Sequence, residues 1–279
     1  MFKTCSVTLL VLFMLCSESF AMFEYDGLSA RFLSLGGGCN ALGDDPSVVT
    51  SNPGGLGFFS KKSIELSWTQ LYNMQELSAG DFYFVFPLGK ILSINSLTSG
   101  WGFNVFGESD YYQESTVFFA FGYGIKNCLS LGLSIKYMRV YFPSPYSDFS
   151  ALGFDSGVLI KIQDKVQIGG AVKNLNQPRV IKGSDDIPRV WNMGVAFFPY
   201  ESIILTVDFT KESGFDHQIR LGQEIRISRN LCLRFGINTE PVRYSVGTGF
   251  NWEKMKIDYA FLSHPALGPT HKISLCFEW

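Results

Sequence analysis

Arg220, Glu224 and Arg226 fall on one phase of an alternating stretch, Arg234 and Arg243 on the same phase of the next two, and Lys256 and Asp258 on that of the one after. Adjacent β-strands lie about 4.8 Å apart, so charged side chains on a shared face reach one another. Two chemistries follow from such a set. It forms a polar constriction or a clamp for acids elsewhere in the chain, with Asp44 and Asp45 as the candidates, or it forms a self-satisfied charge network filling an interior that must hold polar groups anyway. Catalysis has little support. His217, His264 and His271 have no serine or acid at a diagnostic spacing, whereas nucleophilic catalysis needs a nucleophile and base within hydrogen-bond reach. Asp110, Asp148, Asp185 and Asp186 are dispersed loop acids, the pattern of solvated carboxylates rather than of a calcium loop, and no zinc spacing is present. Gly36-Gly37-Gly38 is not a phosphate loop, because no strand precedes it and no Gly-Lys-Ser/Thr follows. The chain therefore reads as nonenzymatic, with no cofactor or metal expected.

The elements that must position these charges are strands. Leu129, Leu131, Leu133, Ile135 and Tyr137 oppose Ser130, Gly132, Ser134 and Lys136, and Ile203, Leu205, Val207 and Phe209 oppose Thr206, Asp208 and Thr210. Period-two alternation sends these sets to opposite faces. After residue 60 it predicts fourteen strands, the first near 62–71, the next two near 80–88 and 90–106, and the last near 270–279. In the stronger segments no charge falls on the apolar face. That is expected of a lipid-facing wall, where Lys or Arg at mid-bilayer costs about 2–4 kcal/mol. A soluble sandwich or barrel with the same strands would leave the Leu, Ile, Phe and Trp face in water or bury the charged one.

Connections supply an independent test. Leu88-Gly89, Lys126-Asn127, Gln163-Asp164, Pro199-Tyr200, Ser228-Arg229 and Glu253-Lys254 read as tight turns, and between them fall the longest connections, Pro143 to Asp148, Asn176 to Arg189 and Ser263 to Pro269. Short turns on one side and longer loops on the other, with an even strand number, are the pattern of an up-and-down membrane barrel. Such a sheet must close, because an open edge in hydrocarbon leaves backbone groups unpaired. The final strand carries His271, Ile273, Leu275, Phe277 and Trp279 on one face, and Phe277 and Trp279 make the terminal aromatic signature of an outer-membrane barrel. Outer-membrane lipid and the barrel assembly machinery are then the expected partners.

Residues 1–21 carry Lys3, an apolar core from Val7 to Leu15 and a small-residue exit at Ser19-Phe20-Ala21, the layout of a cleavable secretory signal. No later stretch has the roughly 20 consecutive apolar residues of a membrane helix, although 15% of the chain is aromatic and 28 residues are glycine. A net charge of −2 gives no electrostatic footprint for nucleic acid. The expected organisation is a signal peptide over 1–21, an N-terminal plug segment over 22–60 and a barrel over 61–279.

The segment before the barrel has its own motifs. Asp45-Pro46 is a plausible N-cap and first helical position, with one helical turn over Ser47 to Thr50 ending before Asn52-Pro53. Inward positions of the predicted strands are often glycine, among them Gly132, Gly157, Gly169 and Gly236. Glycine there either lets another backbone approach or relieves strain where strands curve.

Gly36-Gly37-Gly38, Asp44-Asp45-Pro46-Ser47 and Asn52-Pro53-Gly54-Gly55-Leu56 resemble the N-terminal signature of FadL-like and PorV/PorQ-like outer-membrane proteins, with Gly54 where the family pattern has alanine. The run Val172 to Pro178 and the ending Leu267 to Leu275 resemble the shorter members. The resemblance implies an all-β, transmembrane, antiparallel barrel of fourteen strands whose N-terminal segment enters the lumen as a plug, with Asn52-Pro53 in or near it. It also implies one of two functions. The FadL-like one is passive transport of small hydrophobic molecules across the outer membrane; the PorV-like one is a plugged scaffold for protein secretion or surface attachment, with secreted proteins as partners. Tyr141, Phe142, Tyr146 and Phe149 would form an aromatic contact patch or part of the interfacial girdle.

Overall fold

The computed structural model describes residues 22–89, 96–145, 148–180 and 186–279. The expected signal peptide, the aromatic Tyr146 and the loop acid Asp185 lie outside the described residues. The wall consists of β1 (Ser63–Gln70), β2 (Ser78–Pro87), β3 (Leu97–Glu108), β4 (Tyr112–Ile125), β5 (Leu129–Tyr141), β6 (Phe149–Ile162), β7 (Val166–Lys173), β8 (Val190–Tyr200), β9 (Ile203–Glu212), β10 (His217–Arg226), β11 (Leu231–Thr239), β12 (Val242–Trp252), β13 (Met255–Leu262) and β14 (Thr270–Glu278). Each strand pairs antiparallel with its sequence neighbours, and β1 pairs with β14 from Ser63↔Glu278 to Gln70↔His271, closing the barrel. Closure satisfies the edge donors and acceptors that an open sheet would expose.

Alternation sorts the side chains as its period demands. On β5, Leu131, Leu133 and Ile135 are exposed on the outer face, while Ser130, Ser134 and Lys136 are buried inside. On β14, Ile273, Leu275 and Phe277 face out while Lys272, Ser274 and Cys276 face in, and Trp279 stacks at 6.4 Å from the Phe84 ring across the closing seam. The apolar exterior and charged interior reverse the distribution of a soluble domain.

Four details differ from the sequence reading. The turn after β8 is Glu201-Ser202 rather than Pro199-Tyr200, because both of those residues still belong to the strand. The second connection is not a two-residue turn at Leu88-Gly89. Leu88 N already donates to Leu97 O, so the wall resumes at Leu97 rather than near residue 90, and part of the connection lies outside the described residues. Alternation shows that a stretch can be a strand, not which donors it will pair with. On the opposite rim, Glu240-Pro241 joins β11 to β12 as tightly as any turn, so not every connection on the long-loop side is long. The lumen, finally, is not uniformly hydrophilic. Phe32, Leu35, Leu42, Val48, Val49 and Leu56 of the N-terminal segment pack against inward Tyr83, Val85, Phe118 and Leu159. The segment brings its own apolar core, which strand periodicity does not register.

Candidate functional site

Residues 22–62, which precede β1, lie inside the wall and run from one mouth to the other. Met22 and Phe23 sit at the long-loop mouth among Tyr112, Met138, Val140 and Phe149, and Lys62, next to β1, exchanges backbone hydrogen bonds with Trp279 at the short-turn mouth. Between them come helix α1 (Ala30–Ser34), helix α2 (Val48–Ser51) and a 3-10 helix (Pro53–Phe58). Ser29 caps α1 by accepting from Phe32 N, and Gly36 and Gly37, at φ 70° and 81°, turn the chain away at its end.

This segment cannot satisfy its backbone by itself, so the wall does so. Ala30 N donates to Ser274 Oγ at 2.7 Å and Gly36 N to Ser245 Oγ at 2.9 Å. Asp208 Oδ2 accepts from Cys39 N, Asn40 N and Asn40 Nδ2 at 3.0, 2.8 and 2.6 Å. Asn52 is fully buried and works in both directions: its Nδ2 donates to Asn40 O and to Val158 O of β6, while its Oδ1 accepts from Gly54 N and caps the 3-10 helix that Pro53 opens. A Cβ at Gly54 would meet the Val158 backbone at 2.7 Å, which explains glycine at this position.

The inward glycines receive the segment's backbone. A Cβ at Gly132 would lie 2.2 Å from Pro53 C, at Gly169 1.8 Å from Asn40 O, at Gly236 2.1 Å from Gly36 N, and at Gly157 2.0 Å from Asn52 Oδ1. Close approach, rather than strain relief, accounts for glycine at these four positions. Gly153 differs, since the nearest atoms to its Cβ would all be side-chain atoms, Lys136 at 2.7 Å and Met138 at 3.1 Å, with none from the segment.

The charges assemble around the segment rather than around its acids. Glu224 Oε2 accepts from Arg31 Nε at 2.9 Å and from Arg234 Nε at 2.7 Å, Arg234 Nη1 reaches Asp258 Oδ1 at 2.6 Å, and Arg31 Nη1 reaches Asp44 Oδ1 at 2.8 Å. A chain of alternating sign therefore crosses from segment to wall, and Arg31 is the residue the sequence reading missed. Of the two readings of these charges, a clamp of Asp44 and Asp45 by barrel arginines is not formed. Asp44 is held by Arg31 of its own segment, and Asp45 accepts from Ser47 N at 3.0 Å, Ser47 Oγ at 2.5 Å and Ser29 Oγ at 2.9 Å. Burial pushes the Asp45 carboxyl above the usual carboxylate range, outweighing nearby Arg31 and the serine hydrogen bonds. The helical turn begins at Val48 with Ser47 at the N-cap, so Asp45 closes the preceding turn instead of capping the helix.

The remaining predicted charges are spread out. Arg220 Nη2 donates to Gln218 Oε1 at 3.1 Å and its Nη1 lies 3.5 Å from Gly37 O. Lys256 pairs with Glu278 at 2.5 Å beside the short-turn mouth. Arg226 is exposed at the end of β10 and Arg243 stands opposite Asn238 near the other mouth; among the described residues neither joins the network. A second anchor went unnoticed in the sequence: buried Lys272 donates to Asp81 Oδ2 at 2.5 Å and to Tyr25 Oη at 2.7 Å, and Tyr25 in turn donates to Asp81 Oδ2 at 2.6 Å. Lys272 and Asp81 both sit on the inward phase of their strands, which was the available signal. This arrangement is built to hold a polypeptide in place, with ion pairs and backbone hydrogen bonds spaced along its length.

No protein-family model matches the chain, and no curated protein does. Solved structures do. A Pseudomonas aeruginosa FadL homologue matches with a TM-score of 0.63 at 13% identity, covering 90% of this chain and 98% of its own. The Ralstonia pickettii toluene transporter TbuX matches at 0.65 and 12% identity, covering 92% and 98%. The Pseudomonas putida toluene transporter TodX matches at 0.68 and 12% identity, covering 93% and 99%. Identities this low speak for architecture alone: this closed fourteen-stranded wall has the fold of the FadL homologue and of the two toluene transporters.

Proposed function

We propose that the protein is a passive outer-membrane channel for small hydrophobic molecules, with residues 22–62 as its plug. The short-turn mouth then faces the periplasm and the long loops face the outside. The observation that carries the reading is an apolar cluster at the long-loop mouth. Met138, Val140, Val180, Ile187 and Phe149 gather there, and the chain's own Met22 and Phe23 fill the space. These inward apolar side chains stand at the mouth itself, apart from the apolar core around the segment deeper in the lumen. They give a hydrophobic solute a place to leave water, and displacing Phe23 would tug on the segment hydrogen-bonded below it. Strand residues Met138, Val140 and Phe149 supply most of this cluster, with Val180 and Ile187 added from the connection between β7 and β8. The low-identity likeness to two toluene transporters adds the class of cargo as an expectation.

The test is uptake of toluene and of decanoate into proteoliposomes by the mature chain, by Phe23→Ala and by a deletion of residues 29–58. The deletion is expected to raise uptake and Phe23→Ala to change its concentration dependence. Uptake indifferent to the deletion would exclude plug gating. Absence of uptake together with co-purifying secreted proteins would move the assignment to a secretion scaffold.

A further inference from the structure

β1 carries one carboxyl into the lumen that the charge network does not take up. Glu65 is 2% exposed, and its Oε1 has no hydrogen-bond partner. Buried polar atoms are ordinarily paired, so an orphan carboxyl oxygen calls for an occupant. Its cross-strand neighbours in the wall are Tyr83 of β2 and Cys276 of β14. The segment supplies the third neighbour. Asp45 accepts from Ser29 Oγ at 2.9 Å, and the next residue, Ala30, donates its N–H to Ser274 Oγ, one inward position from Cys276 on β14. Asp45 and Glu65 thus face the same patch of the lumen from the two sides of the boundary between plug and wall, each close enough to act on the Cys276 thiol.

Among the described residues, every cation near this pair is already engaged. Lys272 is held by Asp81 at 2.5 Å, Arg234 by Glu224 and Asp258 at 2.7 and 2.6 Å, and Arg31 by Asp44 and Glu224 at 2.8 and 2.9 Å. Asp81 and Asp258 add their own negative charge around Glu65. Two carboxyls buried side by side with no cation of their own cannot both ionise. We propose that Asp45 and Glu65 hold one proton between them and that this proton fastens the plug to the wall. With the proton in place, the segment lies against β1 and β14 without repulsion. With both carboxyls charged, like charges stand on the two sides of the boundary and push the segment away. The sign follows from linkage: a folded state that keeps a proton the unfolded state has released loses stability as pH rises. Acid therefore seals the lumen and rising pH loosens it. The inference rests on residues 22–62 being the plug and adds what regulates that plug.

The experiment is infrared spectroscopy of the mature chain in zwitterionic nanodiscs, together with hydrogen exchange of residues 29–50 from pH 4 to pH 8, expressed as protection over the intrinsic rate. Wild type is expected to keep the carbonyl band of a protonated carboxylic acid at pH 7, and its protection to fall about tenfold across the range, the effect of one unit of pKa displacement. In Glu65→Gln that band is expected to lose intensity and the fall in protection to flatten. Heat-modifiable electrophoretic mobility establishes that the variant is folded; if it is not, Asp45→Asn, which alters the segment and leaves the wall intact, makes the same exchange comparison. Glu65→Gln/Asp45→Asn is expected to flatten the profile no further than either single change, because the proton belongs to the pair. An undiminished band in folded Glu65→Gln, or additive effects of the two substitutions, overturns the proposal. Both readouts work without solute, so uptake indifferent to the deletion of residues 29–58 would remove plug gating and leave the shared proton standing.

Discussion

Arg31 and Glu224 are separated by 193 residues in sequence and by 2.9 Å in space, and this contact ties the internal segment to the barrel wall. Glu224 is the shared acceptor of two guanidinium groups, one from the plug and one from β11. Its removal unpairs both at once, although Asp44 still faces Arg31 and Asp258 still faces Arg234.

Glu224→Gln should therefore loosen the plug without unfolding the wall. Hydrogen bonds to charged groups contribute about 1.5–3 kcal/mol, and Glu224 is well buried. Limited proteolysis of the detergent-solubilised protein should release peptides from residues 22–62 more than tenfold faster, with heat-modifiable mobility retained. An unchanged cleavage rate would show that the backbone contacts hold the segment alone.

Two glycine substitutions should separate close approach from strand curvature. Gly169→Ala places a Cβ 1.8 Å from Asn40 O, whereas Gly153→Ala meets the side chains of Lys136 and Met138 and no atom of the segment. Overpacking costs about 1–3 kcal/mol. Plug protection against protease should fall in Gly169→Ala and stay near wild type in Gly153→Ala. Equal effects would favour curvature as the reason for both glycines.

Burial raises the Asp45 carboxyl, so the folded state holds its proton more tightly than the unfolded one. Stability from this group is then fully present below the unfolded value of about 3.9 and is lost as pH rises through the higher folded value. Asp45→Asn, which keeps the shape without the charge, should flatten the loss of exchange protection in the segment between pH 4 and pH 8. The measurement is hydrogen exchange of residues 29–50 across that range, and an identical pH profile in both proteins would assign the titration elsewhere.

Val207 lies mid-strand on β9 and is half exposed on the outer face. Val207→Arg should impair insertion into bilayers by about 2–4 kcal/mol if the site lies near the midplane. Folding yield into dilauroyl phosphatidylcholine vesicles checks this; an undiminished yield would mean that the face does not meet lipid.

The wall was legible in the sequence because one local rule, alternation, operates within each strand, and the outward phase of β5 and β9 carries charge only at the strand ends, at Arg139 and Lys211. Leu129 to Tyr137 and Ile203 to Thr210 state it without help from distant residues. The interior was less legible for the converse reason. Arg31 has no period to mark it, and its partners Asp44 and Glu224 are chosen by where a tube brings remote residues together. The glycines were visible as inward residues, yet only the position of Asn40, Pro53 and Gly36 decides what they are for. Asn52-Pro53 stood out as a motif, but its bridging of Asn40 and Val158 depends on a fold that the motif does not encode.

β1 follows the internal segment directly and also seals the cylinder against β14, with Ser63, Glu65, Ser67 and Thr69 inward and Leu66 and Trp68 outward. One strand thus calibrates two things at once. Sliding it by a single residue along β14 would move the anchored end of the segment by about 3.4 Å and turn Leu66 and Trp68 into the lumen. The insertion depth of the inner cord is therefore metered by the zipper of the seam, and a misaligned seam would put Asn52, Asn40 and Arg31 out of step with Val158, Asp208 and Glu224 together.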